Sequence, residues 1–185
     1  KRWSVYTNMN PKNISINEVL RHSMHDFLNQ MHLIQMNLDI GRPEEAKQLI
    51  HRYSKKCAQF FDLNNLGLLK TNEWLQTFPI TYGQMTLEIQ TSVSKRGLEM
   101  FDYELENILD CFVQTIYPKL QGYQEQILKV HIHSNELLEV IIEVNGDWSP
   151  FSWIEYSNHE LFTMERLNNT VGYLQFKLVA KERLE

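Results

Sequence analysis

The chain has 185 residues, and its 18 Lys and Arg against 23 Asp and Glu give a formal net charge of −5 with seven neutral histidines. Apolar residues at 43% and charged residues at 22% are globular values, which exclude a disordered or low-complexity chain and leave one or two small domains with a core. The acidic balance excludes a basic nucleic-acid-binding surface. No uncharged apolar run approaches ~18 residues, and KRWSVYTNMNPKN has no apolar signal-peptide centre, so no membrane partner and a cytoplasmic location are expected.

From Ser15 the apolar residues Leu20, Met24, Phe27, Met31, Ile34 and Leu38 follow alternating steps of four and three, the seam of a packed helix. Asn13 or Ser15 can cap its start, and Gly41 followed by Pro43 stops it. Pro43 suits the first position of a second helix, Glu44 and Glu45 complement its dipole, and Ala46, Ile50, Tyr53, Cys57 and Phe60 repeat the seam. The short connection forces an antiparallel hairpin. Leu28, Leu33, Leu49 and Phe61 lie off the seams and need cover, either from a second hairpin in a dimeric four-helix bundle or from the rest of the chain. If Phe27 is fully buried in that seam, Phe27→Ala costs about 3–5 kcal/mol.

The stretch LNNLGLLKTNEW breaks the period and predicts a connection with a short helical turn. Met85, Leu87, Ile89 and Thr91 alternate as a strand, residues 101–117 have helical spacing closed by Pro118, and residues 128–133 and 137–144 read as two strands joined through Ser134, Asn135 and Glu136. Residues 146–150 form a turn, 151–167 a weakly patterned, helix-compatible segment, and 171–179 a last strand. The expectation is an α+β chain: a helical hairpin over 1–64, then over 65–185 an antiparallel sheet with helices on one face.

Cys57 and Cys111 form no CxxC pair and are expected as buried thiols. His131 and His133 share a strand face and are expected to be solvated. The informative segment is Arg21-His22-Ser23-Met24-His25-Asp26-Phe27-Leu28-Asn29-Gln30. With Met24 and Phe27 on the seam, His25, Asn29 and His32 project outward, giving an imidazole on the open side of a rigid helix with Arg21 and Asn29 a turn away. Such a ring is substantially unprotonated near neutrality and open to a partner. His22, His25 and His32 do not converge on a tetrahedral metal centre, and no HExxH, Walker loop, GxGxxG or nucleophile elbow occurs.

The run HSMHDFLNQMHLIQMNLDIG followed by a second helix resembles the phosphoacceptor hairpin of the sporulation initiation phosphotransferase B family, and more distantly that of sensor histidine kinases. The resemblance implies that the hairpin dimerises into a four-helix bundle and that the second domain is a degenerate form of the kinase ATP-binding fold. It implies His25 as the phosphorylated residue, with Asp26, Asn29 and Arg21 in support and His22, Leu28 and His32 on the partner-binding face. The implied activity is a phosphorelay histidine phosphotransferase in control of sporulation initiation. The chain would take a phosphoryl group from the phospho-aspartate of one response-regulator receiver domain and pass it to the aspartate of another, as a homodimer. No cofactor is implied in this chain, the magnesium ion being on the receiver.

Two alternatives are an ATP-dependent histidine kinase core and a non-catalytic dimeric adaptor. Against the first, Leu105-Glu106-Asn107-Ile108-Leu109-Asp110-Cys111 resembles the kinase Asn-box helix but has Cys111 where a second, magnesium-facing Asn is expected. Val144-Asn145-Gly146-Asp147-Trp148 resembles the DxGxG turn with Val144 replacing the Asp and Trp148 a glycine, and Gly172 stands alone where a glycine-rich lid would follow. ATP has little to hold it on these residues.

Overall fold

Ser15 opens the first helix of the computed structural model, which describes residues 15–120, 126–145, 159–170 and 172–184. Its hydroxyl accepts from the Glu18 N–H at 3.3 Å and the Glu18 carboxylate accepts from the Ser15 N–H at 2.9 Å, a reciprocal cap on α1, Ile16–Asp39. The Ser15 backbone bond, then its hydroxyl, hold the Glu18 carboxyl below its ordinary pKa. Asn13, the other candidate cap, lies outside the described residues. Gly41 ends the first helix in the left-handed region at φ 73°, and α2, Pro43–Leu66, begins at once with Pro43, Glu44 and Glu45. The Phe27 and Tyr53 rings meet across this antiparallel hairpin at 6.1 Å.

The chain divides into two compact units, residues 1–61 and 62–185. In the first, Ala46 is the one buried residue among those described. Met31 and Ile34 are half-buried, but Leu20 (56%), Met24 (56%), Phe27 (38%) and Leu38 (54%) stay exposed, as do Leu28, Ile50, Phe60 and Phe61. Two helices have only one face each to offer one another, so a seam with apolar residues on a second face remains open.

The second unit is a five-stranded sheet of order β1-β2-β3-β5-β4, formed by β1 Met85–Val93, β2 Gln126–Ser134, β3 Leu138–Asn145, β4 Phe162–Thr170 and β5 Tyr173–Ala180. Leu128, Val130, Ile132, Val140, Ile142, Val144, Leu174, Phe176 and Leu178 alternate onto one buried face. Helices α3, Leu69–Thr81, and α4, Met100–Ile116, supply the rest of this core, with Phe112 edge-on to Phe176 at 5.0 Å. A short 3₁₀ turn at Tyr117–Lys119 carries Pro118 and closes α4 as its sequence requires.

Four expectations are corrected. The sheet is mixed rather than antiparallel, because β1 and β2 pair in parallel with α4 as the crossover between them. Where the sequence predicts a connection with a short helical turn over residues 63–74, α3 runs for 13 residues from Leu69. Leu68 offers it no side-chain cap; instead the buried Asp102 of α4 accepts from the Lys70 and Thr71 N–H groups at 2.8 Å each. The helix-compatible segment ends in β4, whose register shifts between Arg166 and Asn168; residues 146–158, with the predicted turn and the first part of that segment, lie outside the described residues. Gly172, at φ 89°, turns the chain between Thr170 and Tyr173, which pair as neighbouring strand residues, so it makes a hairpin.

The cysteines and one histidine also differ from expectation. Cys57 is half-buried and Cys111 exposed, though partial burial, followed by the Asp110 and Glu106 carboxylates, still raises the Cys111 thiol. His133 is exposed, but His131 is half-buried, its Nε2 without a hydrogen-bond partner and 3.6 Å from Glu143 Oε1.

Candidate functional site

Helical phase places the site. Met24 and Phe27 point to the apolar side of α1, so His25 faces away from it, and its side chain is 72% exposed. One turn on, Asn29 is also exposed, and its Nδ2 lies 3.1 Å from His25 Nδ1. Asp26, 50% exposed, stands between two histidines: Oδ1 is 3.6 Å from His25 Nδ1 and Oδ2 is 3.7 Å from His22 Nδ1. Both distances are too long for hydrogen bonds. Asn29, and not Asp26, is thus the residue within hydrogen-bond distance of His25 Nδ1.

At about 100° per residue, Arg21, His22, Leu28 and His32 fall within about 60° of His25 on one side of α1. All four are exposed. Asp26 reaches electrostatically toward α2, where burial first, then the charges of Cys57 and Asp26, push the Tyr53 phenol up. Chemically, the arrangement offers one accessible ring with Nδ1 occupied by a neutral amide and Nε2 directed away from that contact. Among the described residues, no group of three or more His, Cys, Asp or Glu is placed to hold a metal ion. Among them, no helix is long and apolar enough to cross a membrane.

On α4, Asp110 of the segment compared above with the Asn-box helix is bonded within the second unit. Asp110 Oδ1 accepts from Trp74 Nε1 at 3.0 Å and from the Tyr82 hydroxyl at 2.9 Å, and Oδ2 accepts from Gln114 Nε2 at 2.6 Å. Trp74 and Tyr82 come from α3 and its end, eight residues apart and therefore on one helical face. Val144 is fully buried in the sheet, while Gly146, Asp147 and Trp148 lie outside the described residues.

The catalytic domain of histidine kinase ThkA aligns at 12% identity over 63% of this chain and 91% of its own, with a TM-score of 0.38. Histidine kinase ThkA in complex with response regulator protein TrrA aligns at 12% identity over 89% of this chain and 61% of its own, with a TM-score of 0.39. At these values the likenesses decide nothing about the chain. No curated protein matches it. Residues 9–66, by contrast, match the family described as the alpha-helical domain of SpoOB-type sensor kinases. The likeness to this family lies in the helical hairpin.

Proposed function

We propose that this protein is a two-component signalling phosphotransferase in which His25 carries a phosphoryl group between the aspartates of two receiver domains, the step that in the resembling family controls the start of sporulation. The observation that carries the reading is the 72% exposed His25 side chain on the rigid first helix of a SpoOB-type hairpin. A receiver domain bearing a phospho-aspartate docks on the side of α1 that carries His25, with His22, Leu28 and His32 at its margins. The Nε2 lone pair attacks phosphorus in line, the P–N bond forms, and the P–O electron pair returns to the aspartate carboxylate. The second receiver reverses the step with its own carboxylate. Both phosphates are of high transfer potential, so the scaffold has only to position the ring, and the partner's magnesium ion meets the charge on the moving group. Arg21, a turn away, adds positive charge near the phosphoryl group.

The apolar residues left open on the hairpin favour a homodimeric four-helix bundle, since a stripe this wide seldom stays in water. ATP use is not part of the reading: Asp110 is committed to Trp74, Tyr82 and Gln114, and Cys111 offers no amide to magnesium. Mixing the protein with radiolabelled ATP, and separately with a phosphorylated receiver domain, tests it. The reading requires label only from the receiver; label from ATP alone makes the chain a kinase, and none from either makes it an adaptor.

A further inference from the structure

Asn29 and not Asp26 is the hydrogen-bonding neighbour of His25, and an amide differs from a carboxylate in being able both to give and to accept a hydrogen bond. Resting on the phosphoacceptor reading of His25, we propose that Asn29 is a positioning residue that serves both protonation states of Nδ1 by turning its amide about the Cβ–Cγ bond.

Asn29 Nδ2 stands 3.1 Å from Nδ1; a neutral ring that accepts this N–H carries its proton on Nε2 and is not nucleophilic there. For attack the proton must leave Nε2 to water and another must arrive on Nδ1. A half-turn of the amide then presents Oδ1 to Nδ1–H and leaves the Nε2 lone pair free. After the P–Nε2 bond forms, Nδ1–H would leave a cationic ring. Loss of that proton to water lets the amide turn back and donate to bare Nδ1, which holds the neutral phosphohistidine. Return of the proton to Nδ1 makes the ring a better leaving group for the second receiver.

A carboxylate at this position would hold only the Nδ1–H form and would set a negative charge beside the incoming phosphoryl group. Asp26, at 3.6 Å and shared with His22 at 3.7 Å, contributes charge without fixing the tautomer.

The test uses the full chain with ¹⁵N-labelled histidine. In the wild type at a pH where His25 is neutral, the ring nitrogens should report the Nε2–H form with Nδ1 accepting a hydrogen bond. In Asn29→Ala, an exposed site where folding is not at stake, the Nδ1 shift should move to that of a water-solvated imidazole. Transfer from a phosphorylated receiver should slow about fivefold, the loss of one neutral hydrogen bond. Unchanged ring nitrogens in Asn29→Ala overturn the proposal, whether or not transfer slows, because Asn29 would then act on the partner or the phosphoryl group. Failure of wild-type protein to take label at His25 removes the function proposed above and leaves the tautomer result standing.

Discussion

The indole N–H of Trp74 donates to Asp110 Oδ1 at 3.0 Å, tying α3 to α4. Trp74 and Tyr82 are both buried, so their donors depend on this carboxylate. Asp110→Ala should lower the unfolding free energy by about 2–3 kcal/mol in urea titrations, because it strands two buried donors. A loss below about 0.5 kcal/mol would mean that water replaces the carboxylate.

Alkaline pH tests the same contact from the other side. Burial first, then the bond to Asp110 and its charge, push the Tyr82 phenol far above the ordinary tyrosine value of about 10. The folded chain thus keeps a proton that the unfolded chain gives up. The stabilisation is whole below pH ~10 and is lost as pH rises further, with a slope of up to about 1.4 kcal/mol per pH unit. Tyr82→Phe should cost about 1 kcal/mol at neutral pH and make the alkaline fall shallower. Equal slopes in both proteins would place the titration on another tyrosine.

Asp102 replaces the missing N-cap of α3 from another helix, accepting from two backbone N–H groups while 7% exposed. Asp102→Ala should destabilise by about 2 kcal/mol and selectively raise amide exchange in the first turn of α3. Uniform loss of protection through the second unit, with no local excess, would contradict the capping role.

On the hairpin, Phe27 is 38% exposed rather than fully buried, so Phe27→Ala should cost a single chain about 1–2 kcal/mol, less than the seam pattern alone implies. Met24→Glu, at a 56% exposed position, should instead weaken self-association by about 2 kcal/mol, or ~30-fold in Kd, read by sedimentation equilibrium. A wild-type chain that stays monomeric at every concentration would remove the four-helix bundle.

Much of this was legible in the sequence, for physical reasons that differ by element. Hydrophobic steps of three and four, bracketed by Ser15, Gly41 and Pro43, located α1 and α2 because caps and seam agree. The strict alternation through Leu128, Val130 and Ile132 located β2, since these side chains are fully buried while Lys129, His131 and His133 between them face the other side. Helix α3 was hidden because its start depends on Asp102, about thirty residues later in the chain, its buried Thr71 and Asn72 are polar, and Pro79 lies inside it. Strand β4 was hidden by the bulge at Arg166–Asn168, which breaks period two. His25 was visible from helical phase, but which neighbour bonds its Nδ1 was not: Asp26 and Asn29 are both near in sequence, and only the turn of α1 brings Asn29 to 3.1 Å and leaves Asp26 at 3.6 Å.

The most direct measurement is the position of the phosphoryl group after exchange with a phosphorylated receiver domain, read by mass spectrometry under alkaline conditions that preserve phosphohistidine. The account expects one acid-labile phosphate per chain on His25, absent from His25→Ala and retained in His22→Ala and His32→Ala. Label on any other residue, or continued transfer by His25→Ala, would contradict it.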